Sequence, residues 1–134
     1  MKKISLRGRA YPSDLNHSGT VFGGWIMAKM DKAASIAVED IVDSGAVTVS
    51  VTDLNFLKPI KNGDIVTIYT ETIKIGNTSI QINVHVMVRC KKFHEEYNVS
   101  EAIFTFVTVD ENGKSISVAD VIRDDIDDDV KALL

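Results

Sequence analysis

Cys90 is the chain's single cysteine among 134 residues, so no disulfide can close within it, and a reducing compartment is expected. Histidine is scarce too. His17, His85 and His94 stand apart with no partner ligands at metal spacing, which argues against a zinc site. No apolar run approaches the roughly 20 residues that a membrane-crossing helix needs. The opening MKKISLRGRAY carries two lysines but lacks the apolar stretch of a signal peptide, so the expected location is cytoplasmic. An excess of positive charge is also missing: Lys and Arg number 15 against 19 Asp and Glu, a net charge of -4. Neither nucleic acid nor an anionic membrane is therefore an expected partner, and any anionic ligand would need a local basic patch.

What the chain does have is one long helical pattern followed by strands. Residues 2–10 alternate weakly and read as a short edge strand. Residues 11–20 are rich in Pro, Asp, Asn, Ser and Gly and read as a loop. Gly23 and Gly24 mark the entry to a helix that runs toward Ser44 and Gly45, where glycine serves as a stop. The period then turns strand-like over 46–56, 65–75, 78–89 and 99–109. Asn62-Gly63-Asp64 and Gly76-Asn77 supply turns, and a charged loop covers 91–96. The alternation is cleanest in the third of these strands, where Ile80, Ile82, Val84, Val86 and Val88 share one face.

One helix with several long strands in tight succession reads as α+β, a curved antiparallel meander or near-meander around the helix. Its long apolar edges would be safer paired with a second copy. Residues 1–118 form one domain in this reading. Residues 119–134 are acidic, with Ile122, Ile126, Val130 and Leu133 at helical spacing. They read as a solvated tail in preference to a short docking helix, because like charges repel along the run.

One acid is out of place. At about 100° per residue, Lys29, Lys32, Glu39, Asp40 and Asp43 share one arc of the helix, while Asp31 lies roughly 140° away beside Met27, Val38 and Val42. A carboxylate on an apolar face has to be paired, neutralised or used, because burying a bare charge is costly. The wheel leaves two readings open: an Asp satisfied by backbone or hydroxyl donors, with Ser35 one turn on, or an Asp that does chemistry.

Several segments together resemble a known family. Tyr11-Pro12-Ser13-Asp14, Asn16 and Gly19, Phe22-Gly23-Gly24-Trp25 and Met30-Asp31 are similar to the signature of hotdog-fold acyl-CoA thioesterases of the bacterial YciA type. The likeness continues through Phe56-Leu57-Lys58-Pro59-Ile60, Gly63-Asp64, Gly76, Thr78-Ser79-Ile80 and Phe104-Thr105-Phe106-Val107, covering roughly residues 10–118 in order. The resemblance implies a long central helix wrapped by a curved antiparallel sheet. It also implies a homodimer with active sites at the interface, assembled further as a trimer of dimers, and hydrolysis of acyl-CoA to free CoA and a carboxylic acid. No metal and no cofactor are implied.

By the same resemblance Asp31 is the catalytic acid, acting as general base or as nucleophile. Asn16 positions the water or the thioester carbonyl, and the backbone amides at Gly23 and Gly24 form the oxyanion hole. Phe56, Lys58, Lys74, Gly76, Ser79 and Arg89 are the expected CoA contacts. Asn77 stands where the family often carries Arg, which removes one cation that could face a CoA phosphate, and His17 follows Asn16 where a small residue is usual. A non-catalytic acyl-CoA-binding or sensing module is the alternative. An interior acid beside Asn16 weighs against it, since a pure binder has no need of one. A hotdog dehydratase is a third reading, disfavoured because the histidine pairing it would carry at the helix entry is absent here.

Overall fold

The computed structural model describes residues 2–92 and 94–134. Met1 and, within the charged loop, Phe93 lie outside the described residues. The elements in chain order are β1 (Lys3–Arg9), α1 (Gly23–Glu39), β2 (Gly45–Phe56), β3 (Ile65–Ile75), β4 (Ser79–Arg89), β5 (Glu96–Val109) and a last short helix α2 (Asp128–Lys131). All strand pairs are antiparallel, in the order β1-β3-β4-β5-β2. Only β3, β4 and β5 form a meander, because the connection after β2 carries the chain across the sheet. β1 and β2 are thus its two edges.

The period-2 pattern of β4 sets the core. Ile80, Ile82, Val84, Val86 and Val88 all point at α1 and are fully buried, with Phe104 and Phe106 beside them on β5. From the helix, Met30, Ala33 and Ala34 meet them with no exposed surface. Alanine at two contact positions lets helix and sheet approach closely. Each large apolar side chain buried here contributes about 1.5–3 kcal/mol. This is the helix wrapped by a curved antiparallel sheet that the resemblance implied.

The helix stops earlier than its apolar pattern. Its last residue is Glu39, and Ile41 and Val42 are buried without being helical. Their backbone is taken by the chain's far end: Asp43 donates to the Val121 carbonyl (2.9 Å), Arg123 donates to that of Ile41 (2.8 Å), and Val42 bridges Ile122. That pairing corrects a second expectation. The segment after Val118 is no solvated tail, for Ile126 and Val130 are 8% and 9% exposed and pack into the core, while Lys3 on β1 pairs with Asp127. Three apolar side chains at helical spacing outweigh the repulsion between the carboxylates around them. No described helix is long and apolar enough to cross a membrane.

Candidate active site

Asp31 sits at mid-helix on the side of α1 that faces β2. As β2 is an edge strand, that side is only partly covered, so the carboxylate is half-buried instead of enclosed by Met27, Val38 and Val42 as the wheel suggested. The Thr48 hydroxyl of β2 donates to Asp31 Oδ1 at 2.5 Å. Oδ2 has no protein partner among the described residues. One oxygen is thereby fixed and the other is left to act. Ser35, the donor suggested by helical spacing, instead turns its hydroxyl to the Lys32 carbonyl at 2.7 Å. Thr48 was not legible as Asp31's partner, because nothing in a sequence says which strand residue comes to rest beside which helical turn.

The helix entry lies at the other end of β2. Phe22 caps α1 without a side-chain hydrogen bond, and the first amides of the helix, at Gly23 and Gly24, have no partner among the described residues. Gly23 is needed for its missing side chain: a Cβ there would lie 3.3 Å from Phe56 Cζ, so the ring at the end of β2 rests on the helix start. Phe22, Phe56 and Leu57 are each about half exposed around it, an apolar rim beside unpaired N–H donors.

Asn16 is occupied within its own loop. Its Oδ1 accepts from the backbone N–H groups of Ser18 (2.9 Å) and Thr20 (3.3 Å), and its Nδ2 donates weakly to Thr20 Oγ1 at 3.3 Å. In the single chain no contact joins Asn16 to Asp31, and seven helical residues, about 10 Å of axial rise, separate Gly24 from Asp31. His17 is exposed on the loop.

The expected CoA contacts fall into two groups. Lys58 lies over the Tyr97 ring, 5.2 Å from its centroid, and burial raises that phenol above its usual range, keeping the ring neutral beneath the ammonium. Tyr97 pairs with Val88, next to Arg89, so Lys58 and Arg89 share one end of the sheet. Lys74, Gly76 and Ser79 occupy the other end, in a turn closed by Gly76 N–H to the Ser79 carbonyl (2.8 Å). A Cβ on Gly76 would lie 2.8 Å from Ser79 Oγ, so a larger residue there would make that hydroxyl turn away. Ten residues of β4, roughly 33 Å, separate the two groups. Among the described residues no group of three His, Cys, Asp or Glu is placed to hold a metal ion.

A family model described as the thioesterase superfamily matches residues 18–89, which include α1, β2, β3 and β4. The chain belongs to the thioesterase superfamily. It is 45% identical over 118 residues to an uncharacterised acyl-CoA thioester hydrolase of Haemophilus influenzae, covering 86% of this chain and 77% of that one. It is 39% identical over 115 residues to the acyl-CoA thioester hydrolase YciA of Salmonella typhimurium, covering 84% and 86%. A hexameric hotdog-fold thioesterase of Campylobacter jejuni superimposes with a TM-score of 0.81 at 32% identity, over 96% of this chain and 93% of that structure. The architecture described above is thus the hotdog fold, and the family is one of hydrolases.

Proposed function

We propose that this chain hydrolyses acyl-CoA thioesters to free CoA and a carboxylic acid, with Asp31 as general base or nucleophile. The observation that carries the proposal is the divided state of that carboxylate: Oδ1 is held by Thr48, while Oδ2 has no protein partner among the described residues and the side chain is only half-buried. A carboxylate so oriented can take a proton from an attacking water, or attack the thioester carbonyl itself and form an anhydride. Either route develops negative charge on the carbonyl oxygen, and the unpaired amides at Gly23 and Gly24 are suited to receive it. Hydrogen-bond donors and a carboxylate suffice for this chemistry, and the proposal includes no metal or resident cofactor.

The reading also requires a second copy. About 10 Å of helix rise keeps one chain's Gly24 amide from serving a carbonyl that touches its own Asp31. Pairing of two β2 edges brings a second helix entry to each seam, so each site takes its acid from one chain and its oxyanion donors from the other. The Campylobacter relative's hexamer supports an assembly of three such dimers. Asn16, already holding its loop, positions water or carbonyl through the remaining capacity of Nδ2. Lys58 with Arg89 and Lys74 with Ser79 then serve different parts of CoA or different copies, and the enzyme works in the cytoplasm.

The test is release of free thiol from several acyl-CoAs, first by the wild-type chain and then by Asp31→Asn. The variant is expected to keep its fold and bind CoA while hydrolysis falls by at least about 10³-fold. Near wild-type rates would remove Asp31 from the mechanism, and CoA binding without any thiol release by the wild type would make this a binding module. Single turnover in heavy-oxygen water distinguishes the two routes, because water attack on the Asp31 carbonyl of an anhydride labels the protein instead of the released acid.

A further inference from the structure

Past Asp31 the seam between α1 and β2 opens into a cleft of about 220 Å³ lined by Ser35, Val38, Glu39, Gly45, Ala46 and Phe106. Two periodicities make it continuous with the reacting centre. Helical residues four apart stack on one face, so Ser35 and Glu39 follow Asp31 in line, about 6 and 12 Å further along the axis. Strand residues two apart share a face, so Ala46 follows Thr48 on the helix-facing side of β2. Phe106, opposite Thr48 in the β2–β5 ladder and 2% exposed, forms the floor.

The walls are small or apolar until the far end. The Ser35 hydroxyl is spent on the Lys32 carbonyl and that of Ser44, at the rim, on the Gly45 carbonyl, so neither offers a free O–H to a ligand. Glu39 lines the cleft at the last turn of α1, the negative end of the helix dipole, where no basic residue offsets it. Asp40 and Asp43 follow directly. The cations on the far side of Glu39 are Lys3 and Arg123, and both are engaged, Lys3 by Asp127 and Arg123 by Asp43 and Asp125.

The geometry points to this cleft as the acyl-chain pocket and to Glu39 as a specificity residue that admits neutral or cationic chain ends and rejects anionic ones. The inference rests on the thioesterase reading, which supplies the thioester at Asp31. An apolar cavity of about 150 Å³ holds benzene, so this cleft takes an acyl chain of about six to eight carbons. A terminal carboxylate would arrive beside the exposed Glu39 and be repelled across solvent, while a terminal ammonium would pair with it.

The experiment compares kcat/KM, by thiol release, for hexanoyl-CoA, its ω-carboxyl counterpart adipoyl-CoA and its ω-amino counterpart. Adipoyl-CoA is expected to be about fivefold poorer than hexanoyl-CoA, with the gap narrowing as salt is added. Glu39→Gln should shrink that ratio and Glu39→Lys reverse it, with the ω-amino substrate moving the opposite way. Unchanged ratios in both variants, with hexanoyl-CoA still hydrolysed, would overturn the role of Glu39 and leave the thioesterase reading intact. No thiol from any of the three substrates would instead overturn the reading beneath it. Ala46→Leu tests the cleft independently of charge: the octanoyl-to-acetyl rate ratio should fall about tenfold as the pocket fills. An unchanged ratio would place the acyl chain elsewhere.

Discussion

At one edge of the sheet β1 carries Lys3, Arg7 and Arg9 within seven residues. At the other, β2 runs for twelve residues with Asp53 as its one charge, and Val47 and Val49 stand 48% and 55% exposed. Irregularity does not separate the two, for β1 is bulged between Ile4 and Leu6 and β2 between Thr48 and Ser50 and again before Asn55. Charge does. An unpaired strand edge is a template for another chain, and lysine or arginine along it is a common defence. The guarded edge borders the C-terminal strap, residues 119–134, which packs back through Ile126 and Val130, whereas the unguarded edge holds Thr48 and borders Asp31.

The widest break in that comparison is to guard β2 as well. Val47→Lys with Val49→Lys should dissociate the proposed dimer in light scattering and lower thiol release by about 10²-fold, as misplacing half of a site does. Ile4→Lys at the β1 edge, a position already 57% exposed, should leave both mass and rate near wild type. A double-lysine chain that stays associated and active would move the interface away from β2.

A smaller effect is expected from Thr48→Val, which keeps shape but removes the donor to Asp31. The rate constant kcat should drop roughly ten- to a hundredfold with little change in assembly, consistent with loss of one hydrogen bond to a charged group. If kcat holds, Asp31 needs no such anchor. On the β1 side the effects concern stability. Ile126→Ala should cost about 2 kcal/mol in denaturant unfolding, from lost burial beneath the strap. Lys3→Ala should cost less than about 1 kcal/mol, because both members of the pair with Asp127 are about half exposed. Equal losses from the two would mean that the strap is held by charge.

The smallest expected signal lies midway between the edges, on the sheet face away from α1. Burial lowers the His85 imidazole below its ordinary range, with Lys2 adding to this and Glu101 and Glu71 opposing it. The Glu101 carboxylate 3.4 Å away does not reverse the direction. As pH falls, the unfolded chain therefore takes up this proton first. The stability contribution is complete above the ordinary imidazole value of about 6.5 and is lost as pH drops toward the lower folded one. His85→Gln should flatten the slope of unfolding free energy between about pH 7 and about pH 5. A slope that persists in the variant would assign it to other groups.

Much of the fold was legible because strand alternation is a local property. β3 spans the expected residues, and the inward set of β4 is the expected one, since each choice depends only on neighbours two apart. The failures involve partners distant in sequence. Helical spacing ran on through Ile41 and Val42 because their apolarity is real. Only the strap at Val121–Arg123, some 80 residues later, converts them from helix to bridge. The wheel put Asp31 on the inner side correctly but could not say that the neighbouring strand would be an edge. Lys74, beside a family-like motif, and Arg89, second to it, were both expected at CoA with nothing to say how far apart they lie. Once β3 and β4 are paired with Lys74 opposite Gln81, strand length alone sends Arg89 to the far end.

The Phe56 ring resting on Gly23 joins the free edge to the start of the helix. On a site shared between two copies as proposed, a β2 edge that settles against its partner would settle the helix entry with it, making association and competence one event. Specific activity would then become a property of the population: diluted below the dissociation constant of that dimer, the enzyme should fall silent, and turnover should rise with more than the first power of its concentration.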